Sequence, residues 1–321
     1  MSEFKYSVAS SVPFRDRRAI QRVLNMSGEK FGRHRNPRFR IRVMADDELE
    51  YRWIVDLFNR IKEASEFDRP LVILTPGPCA AFVRVAHLIN EFHVSCRRIH
   101  LFQPFEFANE AGETAPSDWP LGVLFQFKRL FYNAIQPGLR PPERQIQAPR
   151  SKSLADYGQR IADLGGADIC YLSIGCTGGF AGVEAGGSEF GSKALKEWMS
   201  IGPRICTMSP YMLAQHALSP AFGCSADLTA VPPKVASIGP AEVVGAKSRI
   251  SLNSSRFSGL ASAVQRFVSR LAIHGPVTPQ IPASVLQLLE TDCWVGESIA
   301  AGAPLPASPE PVRQENGRKR S

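Results

Sequence analysis

The 321-residue chain holds no uninterrupted apolar run long enough to cross a membrane, so no membrane partner is expected. Its opening MSEFKYSVAS lacks an apolar segment of signal-peptide length, which argues against export by that route. Cysteine is sparse and odd in number, seven in all, without C-x-x-C pairs or histidine-rich spacing. A disulfide framework and a zinc site are both poorly supported by that pattern; no metal is expected, and reduced thiols in a cytoplasmic protein fit better. The glycine-rich stretch at 175–179 matches neither G-x-G-x-x-G nor a P-loop ending in Gly-Lys-Ser/Thr, and no cofactor is expected.

Acidic residues are scarce in the first 43 positions. Only Glu3, Asp16 and Glu29 face eleven Lys/Arg there, so these 43 residues carry the whole +8 excess of the chain. A basic head can meet phosphate-rich partners, but few aromatics are interleaved, which speaks against nucleic acid. A solvated arm and a clamp on a neighbouring subunit are equally open readings.

What the chain does have is alternation. At 44% hydrophobic it can bury one large core or two modest ones. RFRIRVM reads as a strand with Phe39, Ile41 and Val43 on one face, and the helix after it carries a stripe of Leu49, Trp53, Leu57 and Ile61. RPLVILTPGP and RRIHLFQPFEF read as strands, AAFVRVAHLINEF and LGVLFQFKRLFYNAI as helices. The same pattern continues through YLSIG (strand), SRISLNSS (strand), RFSGLASAVQRFVSRLAI (helix) and a last helix at PASVLQLLE, with RICTMS as a further strand. Strand, turn and helix alternate from residue 38 to about 298, which predicts an α/β fold: a doubly wound, mostly parallel sheet with helices on both faces. The expected organisation is a basic head of uncertain order at 1–36, one α/β domain at 37–300, and a Pro-rich, charged, disordered tail at 301–321. In such sheets ligands sit beyond the carboxyl ends of the strands, where TPGPCA (75–80), QPFEF (103–107) and GCTGGFAGVE (175–184) fall.

Together these loops resemble the glucosamine-6-phosphate deaminase/isomerase family, whose broader group includes 6-phosphogluconolactonases. GPVTPQIPASVLQLL (275–289) is similar to that family's C-terminal G-P-V-T-P-x-x-P-A-S-x-L-Q-L segment almost position for position. GGSEFGSK (186–193) and SIGPAEVVGAK (237–247) resemble two further family segments, so the likeness runs from about Phe39 to Val295. The resemblance implies a Rossmann-like domain acting on or binding a phosphorylated amino sugar or a similar small anion. Relatives often form oligomers, which leaves a homo-oligomer open.

The resemblance also assigns roles, and the sequence departs from many of them. The family's phosphate cradle P-T-G-[GS]-T-P becomes Pro76, Gly77, Pro78, Cys79 and Ala80 after Thr75, which removes two hydroxyls and one N–H donor. The phosphate lysine falls on Arg256, and a family arginine falls near His216 in a looser register. Phe105 stands at the position of the proton-abstracting aspartate, with Glu106 beside it as the surviving acid, read chiefly as a helper that orients the loop. In the ring-opening loop Thr177 replaces an aspartate, Gly179 a histidine and Val183 an asparagine, while Glu184 survives. The implied catalytic acids are therefore Glu106 and Glu184; the implied substrate contacts are Gly77, Cys79, Thr177, Gly178, Arg256 and His216. The usual deamination is not expected from such a set. The alternative is a non-catalytic phosphosugar sensor or interaction scaffold. Cys79 and Cys176 should both face the pocket, but a nucleophilic thiol needs a lowered pKa and no positioned histidine is evident.

Overall fold

A computed structural model describes residues 7–26, 28–185, 187–191, 194–259 and 262–301; the expected disordered tail lies outside them from residue 302 onward. The strands are β1 (Phe39–Met44), β2 (Leu71–Leu74), β3 (Ile99–Phe102), β4 (Phe105–Ala108), β5 (Ile146–Gln147), β6 (Ile169–Ser173), β7 (Arg204–Thr207), β8 (Lys234–Ser237), β9 (Ser248–Asn253) and β10 (Thr291–Gly296). The α-helices are α1 (Arg17–Leu24), α2 (Gly28–Phe31), α3 (Asp46–Glu66), α4 (Ala81–Glu91), α5 (Val123–Phe127), α6 (Tyr157–Asp163), α7 (Leu195–Trp198), α8 (Pro210–Ala217), α9 (Pro240–Gly245), α10 (Ser255–Ser258), α11 (Ser262–His274) and α12 (Glu297–Ala300). No described helix is long and apolar enough to cross a membrane.

Seven strands form a parallel sheet in the order β1-β10-β9-β6-β2-β3-β5. Both faces are covered, which is why β2 reads as the unbroken apolar run Leu-Val-Ile-Leu. Leu71 and Ile73 point into a core built with α3, α4 and α5, while Val72 and Leu74 point into one built with α6, α9 and α11. The stripe Leu49, Trp53, Leu57 and Ile61 on α3 is buried as its spacing predicts, and Asp46, Asp47 and Glu48 occupy the first turn, where the helix dipole favours negative charge. The α/β class expected from the sequence is the one found.

Three local expectations need correction. RRIHLFQPFEF is not one strand: it breaks at Gln103-Pro104, and β4 leaves the parallel sheet for a three-stranded antiparallel sheet, β4-β8-β7. Pro104 has no N–H to continue the first ladder, and its carbonyl is taken by Ile238 N at 3.0 Å. RICTMS is a strand, but in this second sheet. PASVLQLLE winds as a 3-10 helix over Pro282–Leu288, and Val43, expected inward with Phe39, is exposed.

The basic head contributes to the core. Phe14, Val23 and Phe31 are buried, and α1 packs on α11. The tie is Arg270 of α11, fully buried, which donates to the carbonyls of Val23 (2.9 Å), Met26 (3.1 Å) and Ala300 (2.6 Å) and lies over the Phe31 ring.

Candidate functional site

After β1 the chain winds outward through β2, β3 and β5, then returns to β6 and winds the other way through β9 and β10. Strand order therefore reverses between the neighbours β2 and β6, the kind of switch point beyond whose strand ends open α/β sheets bind their ligands. The loops following β2 (75–80), β6 (174–184) and β9 (254) leave from adjacent strands on that edge, with β3 alongside.

The cradle loop comes first. Thr75 is buried and turns its hydroxyl inward, donating to Gln103 Oε1 at 3.0 Å. Gly77 takes φ +94°, a conformation that side chains resist, with open space where a β-carbon would sit. Cys79 stands at the entrance to α4, and burial pushes its thiol up to about 12, so it is no thiolate at neutral pH. Arg256, one residue into α10, pairs with Glu50 of α3 at 2.9 Å. Arg84 of α4 pairs with the other oxygen of Glu50 at 3.3 Å, and Glu50 is itself buried. Glu50 and Arg84 were not singled out from the sequence. One signal was readable: Glu50 precedes Trp53 by three residues and Ile54 by four, an acid on the buried stripe of α3.

Glu106 lies on β4 with no exposed surface. Its Oε1 accepts from Val123 N (2.9 Å) and Phe107 N (3.0 Å), and its Oε2 from Leu124 N (2.9 Å). The carboxylate thus satisfies the first N–H groups of α5, which has no capping side chain of its own. Burial raises its pKa against the opposing pull of those three donors. Phe105, at the family's base position, packs 5.5 Å from the ring of His216 on α8, and Phe107 stands 5.0 Å from the same ring. Desolvation lowers His216 to about 4, so the imidazole is neutral at physiological pH and offers no charge to a phosphate.

In the ring-opening loop, Phe180 and Val183 exchange backbone hydrogen bonds across a tight turn with Ala181 at φ +49°. A β-carbon on Gly179 would run into the Val183 carbonyl oxygen, and one on Gly182 would meet Val235 of β8. Gly178 at φ +78° packs against Ile281, and its carbonyl accepts from Ala283 N at 2.9 Å. Glu184 is buried and faces α8: its Oε1 accepts from Ser209 Oγ (2.8 Å) and Thr177 Oγ1 (3.2 Å), its Oε2 from Ser209 N (3.0 Å). Ser209 is the N-cap of α8, so Glu184 is the anchor behind that cap. Cys176 donates to the Tyr211 carbonyl, and burial, with Glu184 nearby, pushes its thiol up to about 11. A cavity of about 180 Å³ borders this loop, lined by Val12, Phe14, Thr177, Tyr211, Leu271 and Ile281 among others. The Tyr211 hydroxyl at its wall lies 3.1 Å from Ser11 Oγ.

The segments carrying Gly77, Thr177 and Arg256 leave adjacent strands of the parallel sheet, whereas Glu106 lies on β4 of the second sheet and His216 on α8, which follows β7. The side chains turn to different partners: Glu106 to α5, Glu184 to the Ser209 cap of α8, His216 to Phe105 and Phe107, and Arg256 to α3. Among the described residues no group of three or more His, Cys, Asp or Glu could hold a metal ion.

A parallel sheet whose strand order reverses between β2 and β6, accompanied by a small antiparallel sheet, places the chain in the open, doubly wound α/β class. No protein-family profile matches the sequence. Solved structures do. A monomeric glucosamine-6-phosphate deaminase, described as a missing link of the NagB superfamily, aligns with a TM-score of 0.64 at 19% identity, over 81% of this chain and 98% of that one. A 6-phosphogluconolactonase from Trypanosoma cruzi aligns at 0.56 and 17% identity, over 83% and 98%; one from Plasmodium vivax aligns at 0.53 and 12%, over 89% and 98%. The fold implied by the motifs is the fold found: this chain has the architecture shared by glucosamine-6-phosphate deaminase and the 6-phosphogluconolactonases.

Proposed function

We propose that the chain binds a phosphorylated sugar, or a similar small anion, at the β2–β6–β9 edge without carrying out the proton transfers of deamination. The observation that carries this reading is the commitment of both surviving acids. Glu106 holds the N-terminus of α5 with both oxygens, and Glu184 holds the Ser209 cap of α8. A general base must reach the proton it removes, and neither carboxylate is directed at an open crevice. Phe105 and Gly179 cannot replace them. Retained anion binding is supported by Arg256 and Arg84 beside the Gly77 loop and by Gln103, whose buried Nε2 has no partner among the described residues and sits next to Thr75. A buried unpaired donor of this kind calls for an acceptor.

The test has two arms. Ammonia release from glucosamine 6-phosphate is expected to fall on the order of 10⁴-fold or more below an ordinary deaminase rate, since base and acid groups contribute about 10²–10⁴ each. Turnover at an ordinary rate that Glu184→Gln abolishes would overturn the non-catalytic reading. Thermal-shift screening of phosphosugars is expected to return at least one stabilising ligand, and the absence of any shift counts against a sugar site.

A further inference from the structure

Three helices meet beside the cradle loop, and each supplies one charge. Glu50 comes from α3, Arg84 from the first turn of α4, and Arg256 from α10. Both oxygens of Glu50 are engaged, Oε1 by Arg84 Nη1 and Oε2 by Arg256 Nη1. The arginines are about half exposed, at 52% and 51% of their side chains, whereas the Glu50 side chain is only 11% exposed. Arg84 is held from its other side by the Tyr51 ring, 5.5 Å from the guanidinium carbon. The carboxylate therefore lies beneath two cations whose outer edges face solvent. Two arginines converging on one carboxylate reproduce the way a pair of guanidiniums grips an oxyanion, with the anion supplied by the chain itself. A guanidinium has five N–H donors, and Glu50 engages one nitrogen of each. An incoming anion can still reach the outer donors, but it meets a negative charge directly behind them.

We propose that Glu50 is a specificity-determining residue of this anion cradle: it neutralises half of the Arg84–Arg256 charge and so suppresses binding of small free oxyanions such as inorganic phosphate. The site then favours a phosphorylated ligand whose remaining body adds contacts of its own. The proposal rests on the phosphosugar reading for the place of the cradle, and on the two ion pairs for its charge balance.

The experiment is calorimetric titration of inorganic phosphate into the full chain at low ionic strength, comparing wild type with Glu50→Gln, Glu50→Asp and the double variant Glu50→Gln/Arg256→Met. Glu50→Gln is expected to bind phosphate at least tenfold more tightly, with affinity falling more steeply as salt is added. Glu50→Asp keeps the charge but withdraws it by one methylene, and gains less. The double variant loses the gain. Phosphate affinity in Glu50→Gln equal to or weaker than wild type overturns the proposal; should that variant not fold, the absence of any gain in Glu50→Asp overturns it instead. The same proteins are screened against phosphosugars. A phosphate gain with no phosphosugar binding leaves the role of Glu50 standing and removes the phosphosugar reading; phosphosugar binding with no phosphate gain does the reverse.

Discussion

Gly179 and Val183 are locked together: the carbonyl oxygen of Val183 fills the space that a β-carbon on residue 179 would need. The position where the resemblance places a ring-opening histidine thus admits no side chain on this backbone. Gly179→His is expected to cost about 2–4 kcal/mol by forcing the turn apart, measured by urea unfolding, and to restore no ammonia release. A stable Gly179→His protein with deaminase turnover would show that the loop rebuilds readily around an imidazole.

Glu106 caps the N-terminus of α5, and a capping role and a proton-carrying role give different signatures. Gln at 106 keeps one acceptor oxygen and turns an N–H₂ toward backbone donors. Glu106→Gln is therefore expected to lose about 2–3 kcal/mol of stability. Phosphosugar affinity in the folded fraction should stay within a few-fold of wild type. Lost affinity at unchanged stability would place this carboxylate in contact with ligand.

Removal of residues 1–36 takes away two of the carbonyls that hold the guanidinium of Arg270, together with the buried Phe14, Val23 and Phe31. A buried cation stripped of partners costs about 3–5 kcal/mol, and each large apolar side chain about 1.5–3 more. The truncated protein is expected to unfold or aggregate. The composition alone left a solvated arm and a subunit clamp equally open, and a well-folded truncation with an unchanged melting temperature would favour the solvated arm.

His216 carries a pH dependence whose sign is fixed. Its folded pKa is depressed to about 4, while the unfolded chain takes up the proton near 6.5. The unfolded state therefore binds more protons between those values. The stabilisation is complete above about pH 6.5 and is lost as pH falls toward 4, at up to about 1.4 kcal/mol per pH unit. His216→Phe suits the aromatic surroundings of Phe105 and Phe107 and removes the titration. The drop in melting temperature between pH 7 and pH 5 should be smaller in this variant than in wild type. His274, also depressed to about 4, leaves a residual dependence in both.

The parallel sheet was legible because its central strands are buried on both faces and so write themselves as apolar runs. The C-terminal segment 275–289 was legible as a motif. The second sheet was not, since β4 follows β3 after only Gln103 and Pro104, and nothing in an apolar run states which neighbour it will pair with. At the site, the replaced positions could be read directly: a phenylalanine or a glycine announces its lack of a proton-carrying group. The partners of the retained acids could not. Glu106 finds Val123 and Leu124, Glu184 finds Ser209, and Arg256 finds Glu50 across 206 residues of chain, pairings that only the packed helices create.

Arg270 reaches back 247 positions to grip the carbonyl of Val23. During synthesis the head emerges long before α11 exists to receive it, and at about 5–20 residues per second it waits roughly 12–50 s with its basic and apolar groups uncovered. In that interval the like charges along its arginine-rich sequence repel one another and oppose association of the uncovered arm.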